Sequence, residues 1–197
     1  MSIALADPAL AARPGRGIRR RRTPRALAVT SVVVAVLLLV VYPVGAAMLL
    51  AGGVRYTGVD YSDAMIARAR ARSPRTAFEV ADATRLPYAD GAFDIVFNGV
   101  SLMHVVDYPA VIREAARVAK SYCIFHTVPV FLNHRTTFLR KYAYGAPVVE
   151  VVFGKTELMT LCREAGLRLE REWPSIPYNV SEATGHQSTA ETYLFSR

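Results

Sequence analysis

Hydrophobic and polar positions divide the chain into three regimes. Residues 1–25 show no apolar period; they are mostly Ala, Pro, Gly and Arg, and a composition of that kind predicts a disordered basic tail. The next 29 residues, Ala26 to Val54, carry no charge and centre on Ser31-Val32-Val33-Val34-Ala35-Val36-Leu37-Leu38-Leu39-Val40-Val41. From about Gly53 to the C-terminus, short β-rich runs alternate with stretches of helical period. This third region reads as one domain.

Within it, Arg55 to Asp60 predicts a strand. Ser62 to Arg72 predicts a helix with Met65, Ile66 and Ala69 on one face and arginines on the other. Ser73-Pro74-Arg75 ends that helix, and Ala77 to Ala81 predicts a second strand closed by Asp82. A loop over Thr84 to Ala92 turns at Tyr88-Ala89-Asp90-Gly91 and leads into the apolar strand Phe93 to Gly99. Asp107-Tyr108-Pro109 opens a helix whose Val111, Ala115 and Val118 form a buried stripe, followed by a strand over Tyr122 to Thr127.

Pro129 to Pro147 is irregular and aromatic, with Phe131, Phe138, Tyr142 and Tyr144; it reads as a surface loop or as a cap over a substrate site. Leu158, Leu161, Cys162 and Ala165 then mark a helix ended by Gly166, and Leu167 to Trp173 and Glu191 to Phe195 predict a closing pair of strands. Regular strand–helix alternation predicts an α/β fold with a doubly wound, mostly parallel sheet.

Charge changes little once it is located. Of the net +8, the tail supplies +6 through Arg13, Arg16, Arg19 to Arg22 and Arg25 against Asp7, so the remainder is nearly neutral. No basic face interleaved with aromatics is visible there, which argues against nucleic-acid binding. Cys123 and Cys162 stand alone, on a strand and a helix, as free buried thiols suited to a reducing compartment. No cluster of His, Cys and carboxylates has metal-ligand spacing.

The chemistry begins at Tyr56-Thr57-Gly58-Val59-Asp60, a β-rich run that ends in a carboxylate and turns straight into a helix. A carboxylate so placed can accept hydrogen bonds from two ribose hydroxyls, or can simply cap the turn. Asp82-Ala83, Leu86-Pro87, the run Asp90-Gly91-Ala92-Phe93-Asp94-Ile95-Val96 and Leu102-Met103-His104 follow in order. Over roughly Arg55 to Val130 this series resembles the class I S-adenosylmethionine-dependent methyltransferases. The resemblance implies a Rossmann-like sheet, S-adenosylmethionine as cofactor and a cytoplasmic domain. Asp60 would then hold the ribose, with Tyr61 beside it, and Asp82 and Ala83 would flank the adenine.

Methyl transfer from a sulfonium needs alignment above all, and a general base only for weak nucleophiles. His104, past the fourth strand, is the candidate base; the competing reading is a helix-flanking histidine with no acid–base duty. His126 reads as a packing or hydrogen-bonding residue, and Asp94 as a strand-mouth cap.

The family's glycine-rich loop should fall near Leu39 to Gly45, where the sequence is Leu39-Val40-Val41-Tyr42-Pro43-Val44-Gly45, with one glycine and no acid. Three origins fit the apolar stretch. It could be a transmembrane helix over residues 26–50, since about 20 apolar residues suffice for a span. It could be a misread frame rejoining near Gly52-Gly53, or the buried first strand over Val32 to Leu38. A helix there would leave the sheet without its central strand, so that the second and fourth strands pair directly or leave a gap. Two functions are therefore expected: a methyltransferase acting on a small-molecule or glycan-like acceptor, or a membrane-anchored or truncated relative without cofactor binding.

Overall fold

The structure is a computed structural model that describes residues 2–5, 54–143 and 145–197. The apolar segment over 26–50 lies outside the described residues, as does the glycine-poor stretch 39–45. Among the described residues, no helix is long and apolar enough to cross a membrane.

Three strands open the fold: β1 (Ser2–Leu5), β2 (Thr57–Asp60) and β3 (Ala77–Val80), with helix α1 (Asp63–Arg72) between the last two. Helix α1 starts where Ser62 adopts extended backbone and its hydroxyl accepts from the Met65 amide at 3.4 Å. Asp63 in the first turn and Arg70 and Arg72 in the last complement the helix dipole. Strand β4 (Phe93–Gly99) leads through a 3-10 turn (Leu102–His104) to α2 (Tyr108–Val118), whose N-cap Asp107 accepts from the Ala110 amide at 3.2 Å. The predicted stripe Val111, Ala115 and Val118 is fully buried, in one core with Val96, Cys123 and Phe125.

Strand β5 (Ala119–Phe131) is longer than its sequence signal, and the region read as irregular is a hairpin of β6 (Thr137–Ala143) and β7 (Ala146–Gly154). Gly145 turns it with φ of 78°, a left-handed value that suits a residue without Cβ. Helix α3 (Lys155–Glu164), strand β8 (Arg168–Pro174), a single turn α4 (Ser181–Thr184) and strand β9 (Ser188–Ser196) complete the order. The expected closing hairpin is present: β8 and β9 pair antiparallel, and β9 pairs antiparallel with β5. Both cysteines are free and buried.

The sheet runs β3-β2-β1-β4-β5, and β5 then pairs with both β7 and β9. Pairing of β2 with β3 and of β4 with β5 is parallel, as the alternation predicted. Two expectations are corrected at its centre. Strands β2 and β4 neither touch nor leave a gap, because β1 fills the slot, with Ile3 opposite Val59 on one side and Asn98 on the other. The same four residues were expected in a disordered tail. They were missed because four residues are too short for a period, yet a slot open on both edges pairs their backbone twice over. Strand β1 runs antiparallel to both neighbours, so Ser2 lies beside Asp60 and Leu5 beside Thr57.

Candidate active site

The carboxyl ends of β2, β3 and β4 meet at a cleft of about 240 Å³ lined by Tyr61, Ala81, Asp82, Ala83, His104, Val105 and Val106. Ligands of open α/β sheets bind at this end of the strands, where loops diverge. Four of the five residues singled out from the sequence are thus brought together: Tyr61, Asp82, Ala83 and His104. Asp60 does not line the cleft. It is only 2% exposed, and its Oδ1 accepts from the Ser62 amide at 2.9 Å, in the turn that starts α1.

Each wall has a local cause. Asp82 Oδ1 accepts from both the Thr84 amide and the Thr84 hydroxyl at 2.9 Å, which bends the chain sharply after β3. Tyr61 is exposed on the turn between β2 and α1. Val105 and Val106 follow the 3-10 turn and were not found from the sequence, since two valines outside any period carry no signal. Ala81 belongs with them; its amide donates to the Asp60 carbonyl at 2.9 Å and so ties the β3 end to the β2 end.

The 3-10 turn is set by β4. Asn98, buried, accepts at Oδ1 from the Ser101 hydroxyl at 2.8 Å and from the Leu102 amide at 3.1 Å. Between them Val100 takes φ of 60°, an uncommon conformation for a β-branched residue, so the chain is bent by force at the mouth of the strand. His104 ends this turn with Nδ1 3.1 Å from the Val149 carbonyl of β7. A carbonyl only accepts, so Nδ1 carries a proton.

His126 is held apart from the cleft residues. Its Nδ1 lies 2.8 Å from the Thr192 hydroxyl at a β5–β9 bulge, and burial lowers its pKa. Asp94, at the mouth of β4, lies 3.9 Å from the Lys120 ammonium.

The loop before β4 is clamped from α2. Glu114 accepts from the Leu86 amide at 2.7 Å, while Arg117 donates to the carbonyls of Leu86 and Tyr88 at 3.1 and 2.7 Å and to Asp90 at 2.9 Å. Hydrogen bonding to Arg117 holds the Glu114 carboxyl below the usual range. The Leu86-Pro87 and Asp90-Gly91 pieces of the sequence pattern are thus fastened to the helix behind the sheet.

Comparison with known proteins agrees with the fold. Residues 44–126 match the family model described as a methyltransferase domain. The chain is 37% identical over 134 residues to the 27-O-demethylrifamycin SV methyltransferase of Amycolatopsis mediterranei, covering 62% of this chain and 49% of that protein. It is 48% identical over 62 residues to the demethylmenaquinone methyltransferase of Mycolicibacterium vanbaalenii, covering 31% of this chain and 26% of that protein. The chain therefore spans half or less of the length of these relatives. The fold is similar to that of the Burkholderia thailandensis 1,6-didemethyltoxoflavin-N1-methyltransferase solved with S-adenosylhomocysteine, at 18% identity and a TM-score of 0.54 over 77% of this chain and 65% of that one.

A sheet with parallel β2–β3 and β4–β5 pairs and a cleft at their carboxyl ends defines a Rossmann-like α/β protein. Over residues 44–126 and in its fold the chain is similar to the class I S-adenosylmethionine-dependent methyltransferases.

Proposed function

We propose that the chain is an S-adenosylmethionine-dependent methyltransferase acting on a small molecule. The observation that carries this reading is the cleft that gathers Tyr61, Asp82, Ala83 and His104 from three separate strand ends. The group when bound would supply an electrophilic methyl on a sulfonium.

The donor set fits the adenosine half of such a cofactor. Asp82 offers a carboxylate to an exocyclic amine, the Ala83 backbone can pair with a ring nitrogen, and Tyr61, Val105 and Val106 provide flat and apolar walls. Asp60, one residue before Tyr61, is the proposed ribose ligand. His104 is the proposed base: with Nδ1 held by the Val149 carbonyl, Nε2 can take a proton from an acceptor hydroxyl or amine as its nucleophile forms. The small-molecule acceptor accords with the names of the relatives, which refer to rifamycin and menaquinone precursors. Among the described residues no feature favours nucleic acid.

A second reading rests on its own observation. The sequence at 39–45 has one glycine, so the close backbone approach that a glycine-rich loop gives the methionine half of the cofactor has no source there. On this reading the chain keeps the fold without binding cofactor. Calorimetric titration with S-adenosylmethionine separates the two. Saturable heat supports the enzyme, whereas no heat at millimolar cofactor sinks it for this chain.

A further inference from the structure

We propose that the β6–β7 hairpin carries the distal half of the acceptor site, and that it takes an amphiphilic molecule: an apolar body bearing an anion that pairs with Arg140. This rests on the methyltransferase reading for the position of the reacting atom. The chemistry of the subsite comes from the hairpin itself.

A trough of about 260 Å³ on the hairpin is lined by Phe138, Leu139, Arg140, Pro147, Val148 and Val149. In the antiparallel ladder Phe138 lies opposite Val151 and Arg140 opposite Val149, so Phe138, Arg140 and Val149 share one face. That face looks toward the cleft. The Tyr108 ring at the start of α2 meets the Phe138 ring at 6.4 Å, and the Val149 carbonyl bonds His104, which lines the cleft. Trough and cleft are therefore joined through the bond between Val149, which lines the first, and His104, which lines the second.

The shared rim is apolar and open. Tyr61 is 68% exposed, Val106 61%, Phe138 52% and Val149 40%. Large apolar side chains left in water beside a cleft mark a surface that a ligand covers.

Charge narrows the ligand. Lys141, on the opposite face, lies 2.5 Å from the buried Glu150, which also accepts from the Tyr178 hydroxyl. Asp82 is engaged by Thr84. The exposed Arg140 guanidinium has no carboxylate partner among the described residues. It is a cation set in an apolar trough, suited to a carboxylate, sulfonate or enolate on an otherwise apolar molecule. The Glu150–Lys141–Tyr178 cluster holds the other face, so that this one stays presented.

The test uses two fluorescent probes of similar shape on the full chain: anilinonaphthalene sulfonate, which is anionic, and N-phenylnaphthylamine, which is neutral. Both are expected to bind at one saturable site. Arg140→Gln should weaken the sulfonate about tenfold, the effect of roughly 1.4 kcal/mol, and leave the neutral probe within about twofold. Phe138→Ser should weaken both, and Trp173→Ser, on β8, neither. Equal responses of the two probes to Arg140→Gln, or none, would overturn the anion pairing. Indifference of both probes to Phe138→Ser would overturn the subsite. S-adenosylhomocysteine is titrated into the same samples: its failure to bind would count against the methyltransferase reading alone, whatever the probes report.

Discussion

Asp60 has two duties to separate. Its Oδ1 holds the Ser62 amide, and its place at the end of β2 is the one proposed for a ribose ligand. Asp60→Asn keeps an oxygen for the turn and removes the charge, while Asp60→Ala removes both. Two charge-assisted bonds at roughly 1.5–3 kcal/mol each predict that S-adenosylhomocysteine affinity falls by about one to three orders of magnitude in the alanine variant. The asparagine variant should melt near the wild type and still bind weakly. Unchanged affinity in both, by calorimetry, would return Asp60 to the turn alone. The proposed base duty of His104 predicts that His104→Gln slows transfer by about 10²–10⁴ with cofactor affinity unchanged, measured as S-adenosylhomocysteine released per turnover. His126 gives a pH signature instead. Burial lowers its pKa, so protonation favours the unfolded chain. Its contribution to stability is complete above about pH 6.5, the ordinary imidazole value, and is lost as pH falls through the folded value. Melting curves at pH 7.5 and 5.5 should therefore differ less in His126→Gln than in the wild type.

At the scale of elements, what was legible followed from period and caps. Ser62 and Asp107 announce their helices and cap them, and the α2 stripe at Val111, Ala115 and Val118 is buried as its spacing requires. The β6–β7 hairpin was illegible because its strands carry their apolar residues on both faces. Val149 and Val151 turn one way while Val148 and Val152 turn the other, so no alternation remains to read. The cleft was legible where it is made of strand-end acids and their neighbours. It was illegible where it depends on β7, since the link from Val149 to His104 spans 45 positions and uses a carbonyl that any residue would supply. The loop clamp is testable at this level. Arg117→Ala removes donors from two carbonyls and two carboxylates, Asp90 and Glu114, on a partly exposed side chain, costing roughly 1–3 kcal/mol. The melting temperature should drop by several degrees, and Arg117→Lys should restore only part of it, because an ammonium cannot span all four of these groups as the guanidinium fork does.

For the whole molecule the decisive element is β1, a strand of only four residues. β1 is bonded on both edges in the middle of the sheet, and parallel winding predicts nothing of the kind for an N-terminal tail. A fragment from Gly53 to Arg197 would leave β2 and β4 with unpaired backbone at the centre of the sheet, at about 1–3 kcal/mol for each buried group left unsatisfied. It is expected to aggregate or to melt without cooperativity. Ile3→Pro in the full chain, which removes one central ladder donor, should lower the urea midpoint in the same direction. A monomeric, cooperatively melting fragment would show that β1 is dispensable.

Strand β5 runs for 13 residues, and only its last two, Val130 and Phe131, pair with β7. The hairpin is therefore joined to the sheet through one short seam, while β4 pairs with β5 before it and β9 along the other edge up to Phe131. Such a joint lets the exposed outer part of the hairpin, residues 138–148, be exchanged as a cassette while the buried Val151 to Phe153 stay in the core. Hairpins of other lengths or polarities could be grafted there without disturbing strand ends already in place, so a lineage, or an engineer, could trade one acceptor for another while the Asp82–Ala83 side of the cleft stays as it is.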